Sequence, residues 1–179
     1  MSWFIVSKFK QAKIAQMVEH SHGKGEVPGS IPGLGSMSET EKFAVASVKA
    51  FIEKDGKILI LRESPKYKGG SQHGCFVMPG GKVNEGEPFS QSIKRELKEE
   101  CNIEVEVGKI FHVEEWFIDV PGKPKHIVGM YFICHHTGGD LNICDEFDLY
   151  EWINPKEYQK YNINIQAQKA FEAYNEIIN

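Results

Sequence analysis

The chain has 179 residues, of which 41% are hydrophobic and 26% are charged, and its formal net charge at pH 7 is −4. This composition is typical of a folded globular domain and argues against a disordered or membrane-spanning chain. The slight acidity also disfavours a broad basic face for long nucleic acids. Its four cysteines have no metal-ligand spacing, so we expect reduced thiols and a cytoplasmic location.

The first 36 residues differ in character from the rest and end in a Gly- and Pro-rich stretch that favours neither helix nor sheet. Back-translation of Gly29–Pro32 fits the T-arm of many transfer-RNA genes, so we expect residues 1–36 to be read-through and Met37 to be the natural start. The alternative is a flexible or targeting extension, which its early lysines favour: Lys8, Lys10 and Lys13. Residues 37–179 are predicted to form a single domain.

The first half of that domain begins with a hairpin. Apolar segments over Phe43–Ile52 and Ile58–Leu61 flank Asp55-Gly56, a dipeptide typical of tight turns between strands. A Gly- and Lys-bearing loop over residues 64–75 comes next. A short strand, Phe76–Met78, then runs into consecutive Pro and Gly residues that interrupt regular structure.

The second half is predicted to alternate between helix and strand. A helix from about Pro88 to Cys101 starts on a proline suited to its first turn. A last helix over Ile165–Ile178 repeats its apolar residues at helical spacing. The strands between them are Val105–Ile118 and Ile127–Cys134, on either side of a Pro121-Gly122 turn, and Phe147–Ile153. This order predicts an α/β fold in which a mixed β-sheet lies between helices.

Three glutamates of the first predicted helix share one side of it. Glu96, Glu99 and Glu100 are spaced i, i+3 and i+4, so their carboxylates project within about one helical turn. Glu96 and Glu100 also continue the stripe of Phe89 and Ile93, which we expect to face the core. The alternative is a solvated surface helix with i,i+4 ion pairs.

Convergent carboxylates repel one another unless a cation offsets their charge. Mg²⁺ and Mn²⁺ prefer oxygen ligands, and Mg²⁺ keeps room for waters and for substrate phosphates. A cation of this kind stabilises charge on phosphate oxygens and lowers the pKa of a bound water, while a carboxylate accepts the proton of that water. The glutamates therefore point to phosphate chemistry.

The segment Gly81–Ile103 resembles the Nudix box, GX5EX7REUXEEXGU, at all fixed positions but one. The matching residues are Gly81, Glu87 and the run Arg95–Glu100. Asn102 stands where the box has its second glycine, and Asn is the next best residue for the left-handed backbone that ends a helix. The likeness extends loosely over residues 43–178 and implies the Nudix-type α/β/α sandwich.

The resemblance also implies roles for the residues of the box. It assigns metal ligation and catalysis to Glu96, Glu99 and Glu100, one of which would serve as the base, and it makes the Gly81 carbonyl a further ligand. Glu87 and Arg95 match positions that join the loop to the helix through a charge-assisted pair.

A further acid from a later loop often completes such a metal site. The cluster Asp145–Asp148 lies where that acid is commonly found, and Glu146 or Asp148 is the candidate. A plain surface loop is the alternative for either residue.

Three other residues are weaker candidates for contacts with substrate. Trp116 would stack on a base, although an aromatic residue in a strand more often belongs to the core. Asn164 lies where some relatives contact the base, and capping of the last helix is its alternative role. Arg62 would approach substrate phosphates, or would simply be solvated.

The predicted reaction is hydrolysis of a nucleoside diphosphate linked to a group X, with Mg²⁺ or Mn²⁺ as cofactor and a nucleotide-type small molecule as substrate. We expect a nucleoside triphosphate pyrophosphohydrolase of the MutT type, with oxidised dNTPs among the candidate substrates. The alternatives are an ADP-ribose or nucleotide-sugar pyrophosphatase and, in another class, a non-catalytic nucleotide-binding regulatory domain. No membrane partner is expected, and a homodimer stays open.

Overall fold

The computed structural model describes residues 44–118 and 125–178. They form six strands, two α-helices and one 3₁₀-helix in a fixed order along the chain. The strands are β1 (Ala44–Lys54), β2 (Lys57–Glu63), β3 (Phe76–Val77), β4 (Glu104–Ile118), β5 (Lys125–Gly138) and β6 (Phe147–Ile153). The helices are α1 (Phe89–Glu100), a 3₁₀-helix (Pro155–Lys160) and α2 (Ile165–Ile178).

The six strands form one mixed sheet. The order β3-β2-β1-β5-β4 runs across it, and β6 pairs with β2 on the side away from β1. The neighbours β1 and β5 are parallel, and they pair from Ala44 with His126 to Glu53 with His135. Asp55 and Gly56 both have positive φ, which is the backbone of a tight turn between β1 and β2.

The strands β1 and β2 separate soon after their turn, and the gap between them receives β3 and the glycine segment that follows it. β1 pairs with β2 only near the turn, while β3 pairs with β2 at Leu61 and Arg62. Beyond β3, the amides of Val48 and Ala50 donate to the carbonyls of Gly81 and Pro79, both at 2.9 Å. The glycine segment is therefore fixed beside the centre of the sheet.

Each face of the sheet packs against one α-helix. Val48, Ala50 and Ile52 of β1 join the core under α1, together with fully buried Ile93 and Leu97. On the other face, Phe51 joins the core under α2, because successive side chains of a strand point to opposite faces. This architecture confirms the predicted α/β sandwich.

Both α-helices and the strands occur where the sequence predicts them, with differences at their ends. β5 continues to Gly138, beyond the predicted end at Cys134. The 3₁₀-helix was not predicted, and it begins at Pro155 after the Asn154 side chain accepts from the amide of Lys156. Phe89 lies at the rim of the core, 37% exposed, rather than within it.

Several predictions lie outside the described residues: the nature of residues 1–36, the start at Met37 and the turn at Pro121-Gly122. Among the described residues, no helix is long and apolar enough to cross a bilayer. The four cysteines carry free thiols: Cys75, Cys101, Cys134 and Cys144.

Candidate active site

Helix α1 has an apolar side that packs on the core and an acidic side next to it. Ile93 and Leu97 are fully buried, and they fix the rotation of the helix on the sheet. Glu96 lies about one helical turn after Ile93, and only 14% of its side chain is exposed. The side chain of Glu99 is 61% exposed. The predicted acidic continuation of the apolar stripe is therefore present.

The three glutamates line one open cleft with a volume of about 440 Å³. Helix α1 forms one wall of it, and the loop before β6 and the loop between β2 and β3 supply the rest. The residues lining the cleft are Tyr67, Glu96, Glu99, Glu100, Cys144, Asp145 and Glu146.

Glu100 is half-buried and bonded to the glycine segment. Its Oε2 accepts from the Gly80 amide at 2.7 Å. The pKa of Glu100 is raised to about 7, chiefly by burial and also by the nearby charges of Glu96 and Glu146, while Lys49 and the Gly80 amide oppose the rise. The neutral form of this carboxyl is therefore more favoured than that of an ordinary glutamate.

Arg95 ties the loop before α1 to the helix. Its Nε and Nη2 each donate to one Glu87 oxygen at 2.9 Å, a two-point pair, and Nη2 also donates to the Lys82 carbonyl at 3.1 Å. The pair lowers the pKa of Glu87 to about 2. The same guanidinium donates to Glu96 at 2.7 Å, so it joins the pair with Glu87 to the acidic side of the helix.

The two glycines before α1 are required by close approach. Gly80 has φ +118°, and a Cβ there would lie 3.1 Å from the Val48 carbonyl carbon. At Gly81 a Cβ would lie 2.6 Å from Cδ of Glu96, so the glycine leaves room for that carboxylate. The Gly81 carbonyl accepts from the Val48 amide at 2.9 Å and from Ser47 Oγ at 3.0 Å, which uses both of its lone pairs.

The structure separates the two later acids. Glu146, in the loop before β6, lines the cleft. Asp148 accepts from Nε and Nη2 of Arg62 at 2.7 and 3.1 Å, and neither partner lines the cleft. Arg62 is therefore engaged by Asp148, one strand away.

Trp116 and Asn164 also lie elsewhere. The indole of Trp116 covers Gly129, where a Cβ would lie 2.7 Å from Cη2. Gly129 shares its face of β5 with Tyr131, which packs under α2, so Trp116 is on the opposite face from α1. The Asn164 side chain accepts from the amide of Ala167 at 3.2 Å, which is helix capping.

Sequence reasoning missed two contributors to the site. Tyr67 lines the cleft from the loop between β2 and β3, and Lys49 of β1 donates to the Gly80 carbonyl beside Glu100. Neither residue has a spacing that links it to the helix, because the sheet brings them there. Alternation along β1 predicts only that the Lys49 side chain points to the face opposite that of Val48 and Ala50.

The side chains at the cleft fit a hard divalent cation. The donor set consists of carboxylate oxygens. Burial, together with the charges of Glu96 and Glu146, disfavours the ionised form of Glu100, and a bound cation would offset this. Among the described residues, no three His, Cys, Asp or Glu side chains already have the mutual spacing to hold an ion. Instead, Nη1 of Arg95 lies between two of the glutamates, 2.7 Å from Glu96 Oε1 and 3.4 Å from Glu99 Oε2.

Comparison with known proteins gives one consistent result. The family model of the NUDIX domain matches residues 42–174. Over 129 residues the chain is 33% identical to the CTP pyrophosphohydrolase of Escherichia coli K12, which covers 70% of this chain and 90% of that protein. Over 127 residues it is 31% identical to the ADP-ribose pyrophosphatase of Methanocaldococcus jannaschii, with 70% of this chain and 66% of that protein covered.

A solved structure agrees with these relatives. The MutT NUDIX hydrolase of Burkholderia pseudomallei superposes with a TM-score of 0.63 at 25% identity, over 73% of this chain and 98% of the other. The match includes the mixed sheet and its flanking helices. With its family, its fold and the box carboxylates in agreement, the chain belongs to the Nudix hydrolase family and is a pyrophosphohydrolase that acts on phosphoanhydride bonds.

Proposed function

We propose that the chain hydrolyses nucleoside triphosphates to nucleoside monophosphates and pyrophosphate, with Mg²⁺ or Mn²⁺ as cofactor. The observation that supports this most is the cleft in which Glu96, Glu99 and Glu100 of one helix face Glu146 of a later loop. When bound there, the cation neutralises phosphate oxygens and lowers the pKa of a water. These four carboxylates are the proposed ligands.

The Gly81 carbonyl and Asp148 are less suited to ligation. Ser47 would have to release the Gly81 carbonyl before that oxygen faced a cation. Asp148 would have to break a two-point pair with Arg62. We therefore place Glu146 in the role that the sequence left open between Glu146 and Asp148.

The residues of this chain position the reaction in three ways. The Gly80 amide and Lys49 favour the ionised form of Glu100. Arg95 orients Glu96 while it is itself held by Glu87. A glutamate of α1 accepts the proton of the attacking water, whose oxygen joins phosphorus as the phosphoanhydride bond breaks and pyrophosphate leaves with its electrons.

Two observations support a triphosphate as substrate. The similar CTP pyrophosphohydrolase is covered over 90% of its length, compared with 66% for the ADP-ribose pyrophosphatase. A cleft that is open and rich in carboxylates also suits a polyphosphate that binds through metal ions. ADP-ribose or a nucleotide sugar is the second candidate, favoured by the relative of that name.

A substrate panel tests the proposal. We expect Mg²⁺-dependent release of pyrophosphate from at least one canonical or oxidised nucleoside triphosphate, and loss of activity with EDTA. ADP-ribose and nucleotide sugars run in parallel with the same enzyme. If kcat/KM were highest for ADP-ribose or a nucleotide sugar, the triphosphate assignment would be wrong, and metal-independent turnover would contradict the cofactor.

A further inference from the structure

The loop between β2 and β3, residues 64–75, forms part of the catalytic cleft through a single side chain, that of Tyr67. This loop is held by Glu63 at its base. Glu63 Oε1 accepts from the amide of Gln72 at 2.6 Å, and the Glu63 carbonyl accepts from the amide of Gly74 at 2.9 Å. With only 13% of its side chain exposed, Glu63 acts as an internal anchor that gives the loop a defined shape.

The anchored loop is bonded directly to the backbone of Glu146. The amide of Ser64 donates to the Glu146 carbonyl at 2.8 Å, and the amide of Tyr67 donates to the Ser64 carbonyl at 3.0 Å. Two consecutive hydrogen bonds therefore join the turn that holds Tyr67 to the backbone of Glu146. The positions of Tyr67 and Glu146 depend on each other.

The side chains of these two residues also meet. The pKa of the Tyr67 phenol is raised, chiefly by its interaction with the Glu146 carboxylate, and both side chains line the cleft. We propose that Tyr67 is a positioning residue, whose hydroxyl holds the Glu146 carboxylate toward the metal-binding glutamates of α1. This inference rests on the proposed function, because it gives Glu146 its role as a ligand. Partners of ligating side chains fix their orientation in metal sites generally.

Gly69 provides an independent way to move the phenol. A Cβ at Gly69 would lie 2.8 Å from both Cζ and Oη of Tyr67, so any larger residue must displace the ring. The displaced atoms are the far end of a half-exposed side chain. Gly69→Ala should thus shift the hydroxyl away from Glu146 without removing a single functional atom.

Mn²⁺ binding to the full chain, followed by electron paramagnetic resonance of the free ion, measures this role without substrate. Tyr67→Phe should raise the Mn²⁺ dissociation constant about tenfold, the size expected for loss of a partner of a ligand. Gly69→Ala should raise it in the same direction. Tyr150→Phe is the matched control, because Tyr150 is an exposed phenol on β6 outside the cleft, and its Mn²⁺ affinity should equal that of the wild type.

A double-mutant cycle tests the route through Glu146. In a Glu146→Gln background, Tyr67→Phe should cause no further loss of Mn²⁺ affinity, because the side chain that it positions no longer ligates. The inference is overturned if Tyr67→Phe binds Mn²⁺ as the wild type does, or if its loss is undiminished in the Glu146→Gln background. A lower melting temperature of metal-free Tyr67→Phe with unchanged Mn²⁺ affinity would also overturn it, in favour of a role in folding alone.

The outcomes separate this inference from the proposed function. If the wild type binds Mn²⁺ and hydrolyses a triphosphate while Tyr67→Phe does both equally well, only the role of Tyr67 is refuted. If the wild type binds no Mn²⁺ at all, the metal-dependent function is refuted first, and the role of Tyr67 with it.

Discussion

The two α-helices cover opposite faces of one sheet with opposite chemistry. Helix α1 buries few residues, Ser92, Ile93 and Leu97, and gives its remaining inner surface to carboxylates. Helix α2 buries Ala167, Ala170, Phe171 and Tyr174 among aromatic rings. Phe171 packs on Tyr158 with the ring centroids 5.2 Å apart and on Phe51 at 4.7 Å.

The difference teaches how stability and chemistry are divided in this domain. Apolar burial under α2 stabilises the fold, because removal of aromatic surface from water is favourable and pairs of rings add to it. The repelling charges on α1 are unfavourable for folding, and the fold holds them in place through Arg95 and the glycine segment. Changes on α1 should therefore lower activity, and changes under α2 should lower stability.

Glu100→Gln is the largest expected effect. We expect kcat to fall about 10³- to 10⁴-fold, the range for loss of a group that ligates metal or transfers a proton. Stability should hold or rise slightly at pH 8, because burial raises the pKa of Glu100 to about 7 and ionisation above that pH is unfavourable without metal. Steady-state kinetics and thermal melting of the metal-free protein measure both.

Glu176→Gln on α2 is the matched control, an exposed glutamate far from the box in sequence, and it should change neither quantity. A Glu100 variant that lost activity and stability together would show that α1 serves the fold as α2 does. The division between the two helices would then be wrong.

Phe171→Ala tests the other side of the comparison. The free energy of unfolding should fall by about 3–4 kcal/mol, because a fully buried aromatic ring leaves a cavity. Ile177→Ala on the same helix, where the side chain is 47% exposed, should change it by less than about 0.5 kcal/mol. Urea denaturation measures both, and turnover per folded molecule should stay at the wild-type level in each.

The extent to which the sequence predicted this division differs between local and distant features. The shared side of the α1 carboxylates was predicted, because helical spacing alone brings Glu96, Glu99 and Glu100 together. The aromatic side of α2 was predicted in the same way, and its bounds, Ile165–Ile178, coincide with the structure. Within an element, the period of the chain determines which residues share a face.

Contacts between distant segments were not predictable in this way. The choice between Glu146 and Asp148 depends on how β6 pairs with β2, and that register shifts at Arg62 and Glu63. Simple alternation cannot be carried across such an irregularity. The place of Tyr67 depends on the hydrogen bond from the Ser64 amide to the Glu146 carbonyl, two residues that are 82 positions apart along the chain.

The pH dependence of stability sharpens the comparison on the α1 side. The pKa of Glu87 is lowered to about 2 by Arg95, from an ordinary value of 4.5. A lowered pKa means that the pair stabilises the fold fully above pH 4.5, and that this contribution is lost as the pH falls toward 2. Glu87→Gln should therefore weaken the dependence of stability on pH over that window.

Urea denaturation at a series of pH values between 2 and 6 gives this dependence. Glu85→Gln, an exposed glutamate in the same loop, should keep the slope of the wild type. An unchanged slope in Glu87→Gln would mean that the ion pair joining the loop to α1 adds nothing to the fold.

Substitution of Asn102, at the end of α1, has the smallest expected effect, and that effect is on the free energy of unfolding. The φ of Asn102 is +55°, its Nδ2 donates to the Asp140 carbonyl at 2.9 Å, and its Oδ1 accepts from Lys98 Nζ at 2.6 Å. Asn102→Ala keeps the unfavourable left-handed backbone and loses both bonds, so it should destabilise the protein by about 1–2 kcal/mol. Asn102→Gly also loses both bonds but relieves the backbone, so it should stay within about 0.5 kcal/mol of the wild type.

The two substitutions together separate backbone from side chain in urea denaturation. If glycine and alanine destabilised equally, the side-chain bonds to Asp140 and Lys98 would account for the whole effect, and the left-handed backbone for none of it. We expect the glycine variant to be nearly as stable as the wild type and the alanine variant to be clearly less stable. The box then has a glycine at this position because the backbone is left-handed, and asparagine is tolerated there with the help of its own hydrogen bonds. The end of α1 would then be determined by the left-handed backbone at residue 102, a requirement of folding in which the glutamates of α1 take no part.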